Sequence, residues 1–229
     1  MDQGPAEFAA MTTSEHVQIF GYGSLVNRRT RRAHLVAGPA RASGWRRSWS
    51  HCVETENGKV CALTIVPNAE AEVAGVVVLE HRDHLPALDA REIGYQRVPI
   101  SVVADEPPIL PAPGHQESFS YTSTSAAYRR GSREFPIWRS YLECVLSGFL
   151  DLGGDVAARN FIVSTDGWDA PILDDRSAPK YMRAVQLSED IRREVDALIR
   201  SLGLDRTQFA DPSALLSVGQ RPAYGDELA

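Results

Sequence analysis

The chain has 229 residues, 43% of them hydrophobic, and a formal net charge of −6 at pH 7. That length is sufficient to bury a substantial core and is typical of one domain with a small appendage. The acidic balance argues against nucleic acid as the main partner, because binding to a phosphate backbone requires a basic surface. No apolar run approaches the length that spans a bilayer, so we expect no membrane partner.

The cysteines and the first residues indicate the compartment. Residues 1–15 have neither the basic start nor the apolar core of a signal peptide. Cys52, Cys61 and Cys144 are odd in number and form no C-x-x-C motif. We therefore predict a cytoplasmic protein with free thiols, in which Cys52 and Cys61 can face each other across a hairpin.

Short strands are predicted along most of the first half of the chain. Residues 1–16 lack a pattern and are expected to form a loose leader. Beyond them, segments rich in Val, Ile, Thr and aromatic residues alternate with turn residues, and Asn57-Gly58 is typical of a hairpin. The strands are expected at 17–22, 35–43, 45–54, 59–66, 73–80, 95–103 and 116–124, with a short helix at 82–91 and a proline-rich loop at 105–115.

Helices dominate the predicted second half. Apolar residues from Trp138 to Phe149 recur at helical spacing and predict an amphipathic helix that Gly153-Gly154 ends. A short helix at 155–163 and a capped helix at 188–202 follow, and the last twenty or so residues are weakly patterned. Strands followed by helices indicate an α+β fold. Many short consecutive strands are also compatible with a small barrel.

The most informative stretch reads Phe-Gly-Tyr-Gly-Ser-Leu, at 20–25, directly after the first predicted strand. Glycine lets backbone N–H groups approach a bound anion, and converging N–H groups form a pocket for a carboxylate or an oxyanion. Val26 breaks the dinucleotide pattern G-x-G-x-x-G, and Ser24 lacks the flanking glycines of a nucleophile elbow. The segment is therefore either an anion-binding turn or a tight turn without a ligand.

Glu92 is the second candidate. It lies at the predicted end of the short helix, just before the strand that begins near Tyr95. A carboxylate at such a junction can project into a cleft. Alternatively it is solvated, as most glutamates are.

Together the two segments resemble the gamma-glutamylcyclotransferase superfamily, in particular its ChaC-like and AIG2-like branches. The motifs that carry the resemblance are Tyr-Gly-Ser-Leu at 22–25 and Leu-Asp-x-Arg-Glu-x-Gly-Tyr at 88–95. Leu25 is the ChaC-like form of the first motif, where many members have Asn. Three further segments are similar to the family, and the resemblance extends over about residues 17–153: 44–49, 75–79 and the helix 136–148 with Tyr141.

The resemblance implies a small mixed β-barrel flanked by helices, with the site in a cavity at one end. It implies a domain at 17–153 and a helical extension at 154–229 that packs on the same domain, with a flexible tail. The implied reaction releases 5-oxoproline when the α-amine of a γ-glutamyl compound attacks its own γ-carbonyl. No metal or organic cofactor is required, because nucleophile and electrophile belong to one molecule.

The resemblance also implies residue roles. Glu92 would be the general acid/base. The turn would hold the substrate through backbone N–H groups and hydroxyls, and two tyrosines would form the cavity wall. The substrate-binding residues are Tyr22, Gly23, Ser24, Leu25, Tyr95 and Tyr141. A gamma-glutamylamine cyclotransferase and a non-catalytic binding protein of the same fold are the alternatives, and a homodimer is left open.

Four other features have simpler interpretations. His81 and His84 lack the further ligands that a metal site needs, and Trp45, Arg47 and Trp49 are expected to form a cation–π packed strand face. The arginines at 28, 29, 31 and 32 indicate either a solvated surface or attraction for an anionic substrate. The segment 165–184 is a structural loop held by ion pairs, an arm over the cavity or a dimer contact.

Overall fold

The computed structural model describes residues 15–31, 37–105, 117–201, 203–204 and 208–210. A large mixed sheet is accompanied by helices, so the predicted α+β class is confirmed. The strands are β1 His16–Gly21, β2 Ala37–Thr55, β3 Gly58–His81, β4 Tyr95–Pro99, β5 Val103–Ala104, β6 Ser118–Ser123, β7 Ile137–Trp138, β8 Thr165–Asp166, β9 Ile172–Asp174 and β10 Gln208–Ala210. The α-helices are α1 Leu85–Arg91, α2 Arg139–Val163 and α3 Glu189–Ser201, and 3-10 helices span Ser24–Val26, Arg28–Thr30 and Arg82–His84.

The strand β1 lies inside the large sheet. It pairs antiparallel with β3, from His16↔His81 to Gly21↔Val76, and parallel with β6. The strand order is β4-β6-β1-β3-β2-β5, with β8 beside β2, and a second sheet has the order β10-β9-β7. The turn that follows β1 therefore starts from the interior of the sheet, between two neighbouring strands.

Two long strands replace four of the predicted short ones. β2 runs through Gly44, whose φ of +84° accompanies a bulge just before Trp45. β3 continues through Pro67, which is opposite Trp45. The turn residues that predict strand ends instead bend the hairpin, because a bulge absorbs an irregular residue without ending the ladder. The hairpin itself is confirmed, with Glu56-Asn57 at its tip.

The predicted small barrel is wrong for the described residues, because the sheet is open with β4 and β5 at its edges. Side chains join β3 to the end of β6 in place of a backbone ladder. Thr122 Oγ1 donates to Ile65 O at 2.6 Å, and Ser123 N donates to Thr64 Oγ1 at 2.9 Å. A closed barrel needs a continuous ladder of backbone pairs, which these hydroxyl contacts do not form. The predicted strand 95–103 is likewise divided, into β4 and β5.

The helices agree with the predicted pattern. α2 is interrupted at Gly153 and Gly154, whose backbone angles are not helical, and the helix resumes at 155–163. Val195 and Leu198 of α3 belong to the same buried core as α2 and the sheet. A network of largely buried ion pairs connects α2, α3 and the segment after β9, and its members are Arg139, Glu143, Arg176 and Asp196.

Several predictions concern segments outside the described residues, namely 1–14 of the leader, the proline-rich loop at 106–116 and the tail at 211–229. The division into a domain at 17–153 and an extension at 154–229 stays a prediction, as does the cytoplasmic location. No α-helix within the described ranges is both long and apolar enough to cross a bilayer. The described cysteines are buried free thiols, and Cys52 lies opposite Cys61 in the hairpin register.

Candidate active site

The turn after β1 is tight and approaches α2 closely. The first hydrogen bond of the 3-10 helix runs from Val26 N to Gly23 O at 3.0 Å. The N–H groups of Ser24 and Leu25 come before this bond and so have no partner within the helix. A Cβ atom on Gly23 would lie 3.1 Å from the Tyr141 hydroxyl. Glycine at position 23 therefore allows the backbone of the turn to pack directly against a tyrosine of the helix.

Asn27 fastens this turn to α2. Its Nδ2 donates to Cys144 O at 2.8 Å and to Ser147 Oγ at 3.0 Å. A Cβ atom on Gly148 would lie 2.7 Å from the Asn27 backbone nitrogen. Gly148 therefore lets the turn approach α2 closely, and the hydrogen bonds of Asn27 keep it there.

Arg47 supports the turn from beneath. Its Nε donates to Tyr22 O at 2.8 Å, and its Nη2 donates to Ala74 O. Its guanidinium carbon lies 4.9 Å from the ring centre of Phe161 and 5.2 Å from that of Phe149, so the rings it packs on belong to α2 and are not the predicted tryptophans of its own strand. The C=O and N–H groups of a trans peptide point in opposite directions. Since the carbonyl of Tyr22 faces Arg47, the N–H of Gly23 in the same peptide points away from it.

The charge of Arg47 is also unusual. The residue is fully buried, and in the described part of the chain it has no carboxylate partner. Burial lowers the pKa of the guanidinium to about 9, which still leaves it charged at neutral pH. A buried positive charge directly behind the turn favours a negative charge in front of it.

Glu92 ends α1 and faces the turn across a cavity. Its N–H donates to Leu88 O at 3.2 Å and to Asp89 O at 3.1 Å, and its carbonyl accepts from Tyr95 N at 3.0 Å. The tight turn that follows needs Gly94, whose φ is +77° and whose Cβ would come within 2.8 Å of a side chain of β2. The carboxyl side chain is only 22% exposed.

His51 of β2 holds the turn that carries Glu92. Its ring stacks on Tyr95 with centroids 3.5 Å apart, and Nε2 lies 3.0 Å from Ile93 O. Nδ1 lies 2.8 Å from Ser123 Oγ. Burial lowers the pKa of His51 to about 4, so the ring is neutral at pH 7. A carbonyl can only accept, and therefore Nε2 carries the proton while Nδ1 accepts from the serine.

All the predicted site residues line one cavity of about 60 Å³, and their roles stay predictions. Glu92 and the four residues of the turn are all part of this lining. Residues that sequence reasoning did not select complete the wall, namely Phe20, Gly21, Leu63 and Tyr121.

The tyrosine hydroxyls of this wall are largely engaged with the protein. Tyr22 Oη donates to Tyr121 O at 2.7 Å, and Tyr95 Oη donates to Leu63 O at 2.6 Å. Burial raises the pKa of Tyr22, Tyr95 and Tyr141, so all three are protonated at neutral pH. The hydroxyl protons of Tyr22 and Tyr95 are therefore directed to backbone carbonyls rather than into the cavity.

Burial is the main influence on the carboxyl of Glu92 and raises its pKa. The positive charges of Arg183 and Arg91 oppose this effect, and Arg91 Nη2 lies 3.8 Å from the carboxylate. A raised pKa brings proton exchange closer to neutral pH, which suits a group that both takes and returns a proton.

The sequence does not reveal every residue that shapes the site. Arg47 lies within a segment that resembles the family, but only the fold shows that it binds the turn. His51 carries no motif. In the segment 165–184, Trp168 Nε1 donates to Ile162 O at 2.8 Å, and Tyr181 with its neighbours borders a groove next to the cavity, while the alternative roles of the segment stay predictions.

Other candidate groups lie apart from this cavity. Among the described residues, no three His, Cys, Asp or Glu side chains gather in a way that could hold a metal ion. Arg28 pairs with Asp151 at 3.5 Å, and Arg29 Nη1 donates to Gln186 O at 2.9 Å. Neither arginine lines the cavity or the groove, which favours the surface interpretation of this basic cluster.

No protein-family model matches the sequence, and no curated protein is significantly similar to it. Solved structures do share its fold. One described as a gamma-glutamyl cyclotransferase aligns with a TM-score of 0.53 at 18% identity, over 80% of this chain and 99% of that chain. An uncharacterized protein from Homo sapiens aligns with a TM-score of 0.52 at 19% identity, over the same shares of the two chains. The chain has a gamma-glutamylcyclotransferase-like fold, and the resemblance is confirmed at this level.

Proposed function

We propose that the protein is a gamma-glutamylcyclotransferase-like enzyme that releases 5-oxoproline from a γ-glutamyl compound. One observation carries this proposal: the turn at 22–25 and the carboxyl of Glu92 line the same small cavity. The fold that the chain shares with a gamma-glutamyl cyclotransferase supports it.

The reaction needs one group that moves a proton. The α-amine of the substrate attacks its own γ-carbonyl carbon, a new C–N bond closes the five-membered ring, and the former amide C–N bond breaks. Glu92 takes a proton from the α-ammonium group and later gives it to the leaving nitrogen, while the attacking nitrogen loses a second proton to solvent as it becomes the lactam N–H and the released amine takes one up. Water is not consumed, and the products are 5-oxoproline and a free amine or amino acid.

The turn supplies the complementary electrostatics. The N–H groups of Ser24 and Leu25 are the donors for the substrate's α-carboxylate or for the oxyanion that forms at the γ-carbonyl. The buried guanidinium of Arg47 lies behind this turn and favours negative charge there. These donors are held in place by α2 before substrate binds, so little reorganisation is needed during the reaction.

Positioning accounts for the rest of the rate. The two reacting atoms belong to one flexible chain, which must fold back on itself before the ring can close. A cavity of about 60 Å³ bounded by packed tyrosines restricts that chain to few conformations. Restricting two reactive groups in this way can supply much of the rate enhancement of an enzyme.

The test is to incubate the protein with γ-glutamyl amino acids, γ-glutamylamines and glutathione, and to measure 5-oxoproline. We expect turnover with at least one of them, and a loss of about 10²- to 10⁴-fold in kcat for Glu92→Gln. Glu134→Gln, an exposed glutamate that pairs with Lys59, is the matched control and should keep wild-type activity.

The same panel separates the alternatives. Turnover confined to γ-glutamylamines identifies a gamma-glutamylamine cyclotransferase. Tight binding of a γ-glutamyl ligand without any 5-oxoproline identifies a binding protein. If the protein neither binds nor turns over any of these compounds, the proposed function is refuted.

A further inference from the structure

A larger groove adjoins the small cavity. Its volume is about 530 Å³, and four residues line both spaces. They are Ser24, Glu92, Tyr95 and Tyr141. The groove therefore adjoins the cavity at the candidate acid/base and at a residue of the turn.

The groove has a mainly apolar wall. β2 and β3 contribute Val53, Val60 and Ala62, and the indole of Trp138 lies beside them. Two large apolar side chains stand at the rim, where Ile93 is 55% and Met182 is 76% exposed. Apolar side chains left in water next to a cavity indicate a surface that a ligand covers.

Two polar side chains of this wall lie in one patch, because the guanidinium carbon of Arg183 is 5.6 Å from the ring centre of Tyr181. Arg183 Nη1 is buried and makes no hydrogen bond within the described residues, while the hydroxyl of Tyr181 lies near that of Ser24 in the turn. Buried donors are normally satisfied, and an unsatisfied guanidinium N–H in a binding groove indicates that a ligand supplies the acceptor.

The segment that carries these groups is firmly held. Asp175 accepts from Ser140 N and from Lys180 N, both at 2.8 Å, and from Ser140 Oγ at 2.6 Å. Asn57 Nδ2, at the tip of the β2–β3 hairpin, donates to Lys180 O at 3.0 Å. The two donors are therefore presented by a fixed backbone, which is what selective recognition requires.

We propose that Tyr181 and Arg183 are specificity-determining residues that receive a carboxylate on the leaving group, and that the apolar wall receives a bulky apolar side chain of the same group. The inference rests on the proposed function. In an amino-acid leaving group the carboxylate is attached one carbon away from the scissile nitrogen. Arg183 and the acid/base Glu92 border the same groove, so the two recognition events lie close to the bond that breaks.

Three substrates separate the contributions. γ-Glutamylphenylalanine offers both the aromatic group and the carboxylate, γ-glutamylglycine offers the carboxylate alone, and γ-glutamylphenethylamine offers the aromatic group alone. We expect kcat/KM for the first to exceed that of each of the others by about 10- to 100-fold, since one apolar group or one charged hydrogen bond is worth about that factor.

Arg183→Met tests the carboxylate site. The substitution should lower kcat/KM for γ-glutamylphenylalanine by about 10- to 100-fold more than that for γ-glutamylphenethylamine, since only the former presents a carboxylate and any effect of the lost charge on Glu92 is common to both substrates. The control is Arg193→Met, which removes an exposed arginine of α3 and should leave all three values unchanged.

The outcomes are distinct. Formation of 5-oxoproline with no preference for the phenylalanine compound, or an equal loss on both aromatic substrates in Arg183→Met, overturns this inference and leaves the proposed function standing. If no compound is turned over, the proposed function fails. Calorimetric binding of γ-glutamylphenylalanine and γ-glutamylphenethylamine then decides the inference, and equal affinities or no binding overturn it.

Discussion

Protonation of His51 should lower the free energy of unfolding as the pH falls below neutral. The ring is buried, donates through Nε2 to Ile93 O and accepts at Nδ1 from Ser123. It therefore holds the turn that carries Glu92 only as a neutral imidazole of one tautomer. Below pH 6.5 the unfolded chain binds a proton at this position, whereas the folded chain does not until about pH 4.

The magnitude follows from the two pKa values. Their difference is about 2.5, and each pKa unit corresponds to 1.36 kcal/mol. Protonation of His51 should therefore lower the free energy of unfolding by about 3 kcal/mol. The sign is fixed because the folded-state pKa is the lower one. The stabilising contribution is complete above pH 6.5 and is lost as the pH falls towards 4. A typical domain is stable by about 5–15 kcal/mol, so the loss is substantial.

Urea unfolding of the wild type and His51→Gln, followed by tryptophan fluorescence at several pH values between 7.5 and 4, measures this contribution. The glutamine amide can keep the donor near Ile93 but cannot titrate. At pH 7.5 the variant should be less stable by about 1–3 kcal/mol, since a buried serine hydroxyl loses its acceptor. That wild-type advantage should narrow by about 3 kcal/mol by pH 4, because only the wild type carries the titrating ring.

Two comparisons make the test specific. His81→Gln, which changes a partly exposed histidine on β3, is the matched substitution outside the site. If the free energy of unfolding of His51→Gln falls with pH as steeply as that of the wild type, His51 does not titrate as inferred. The proposed tautomer and its role in holding the turn would then be wrong.

The remaining predictions concern the carboxyl, the buried guanidinium and the packing of the turn. Glu92→Gln should raise the melting temperature at pH 7.5 and lose that advantage near pH 4, because burial raises the folded-state pKa and only the ionised form is costly; no gain at pH 7.5 would contradict this. Arg47→Met should lower the free energy of unfolding by about 2–4 kcal/mol in urea titrations, since one buried and one partly buried carbonyl lose their donor, and a neutral effect would refute the bonds described. Gly148→Ala should cost about 1–3 kcal/mol, because its Cβ would lie 2.7 Å from the Asn27 nitrogen, whereas Gly38→Ala, with open space around it, serves as the control; equal effects would argue against close packing of α2 on the turn.

Local sequence was sufficient to select most of the candidate site. The turn at 22–25 and Glu92 each belong to short segments whose glycines and helix end have direct local consequences, and both line the cavity. The predicted strand ends near Gly44 and Pro67 were wrong, because a long hairpin absorbs irregular residues as bulges. Their effect depends on the partner strand, which no local window contains.

The closure of the sheet was beyond prediction for a similar reason. Whether β3 and β6 join by a backbone ladder depends on the twist accumulated over several strands. In the fold the hydroxyls of Thr64 and Thr122 make the contact. Threonine is common in strands of every kind, so its presence at these positions indicates a strand and nothing about the neighbour that its hydroxyl meets.

Local sequence alone is enough to predict the α+β class, the hairpin, the interrupted helix and the pair of motifs that resemble a cyclotransferase, because each depends on spacing within a few residues. The folded chain was needed to show that Arg47 binds the turn, that His51 holds the turn bearing Glu92, and that Arg183 borders the adjoining groove. The groups that these residues act on are distant in the sequence. The carbonyl of Tyr22 is 25 positions from Arg47, and Glu92 is more than 90 positions from Arg183. Contacts of that range arise from strand pairing and helix docking, which bring together residues that no local pattern relates.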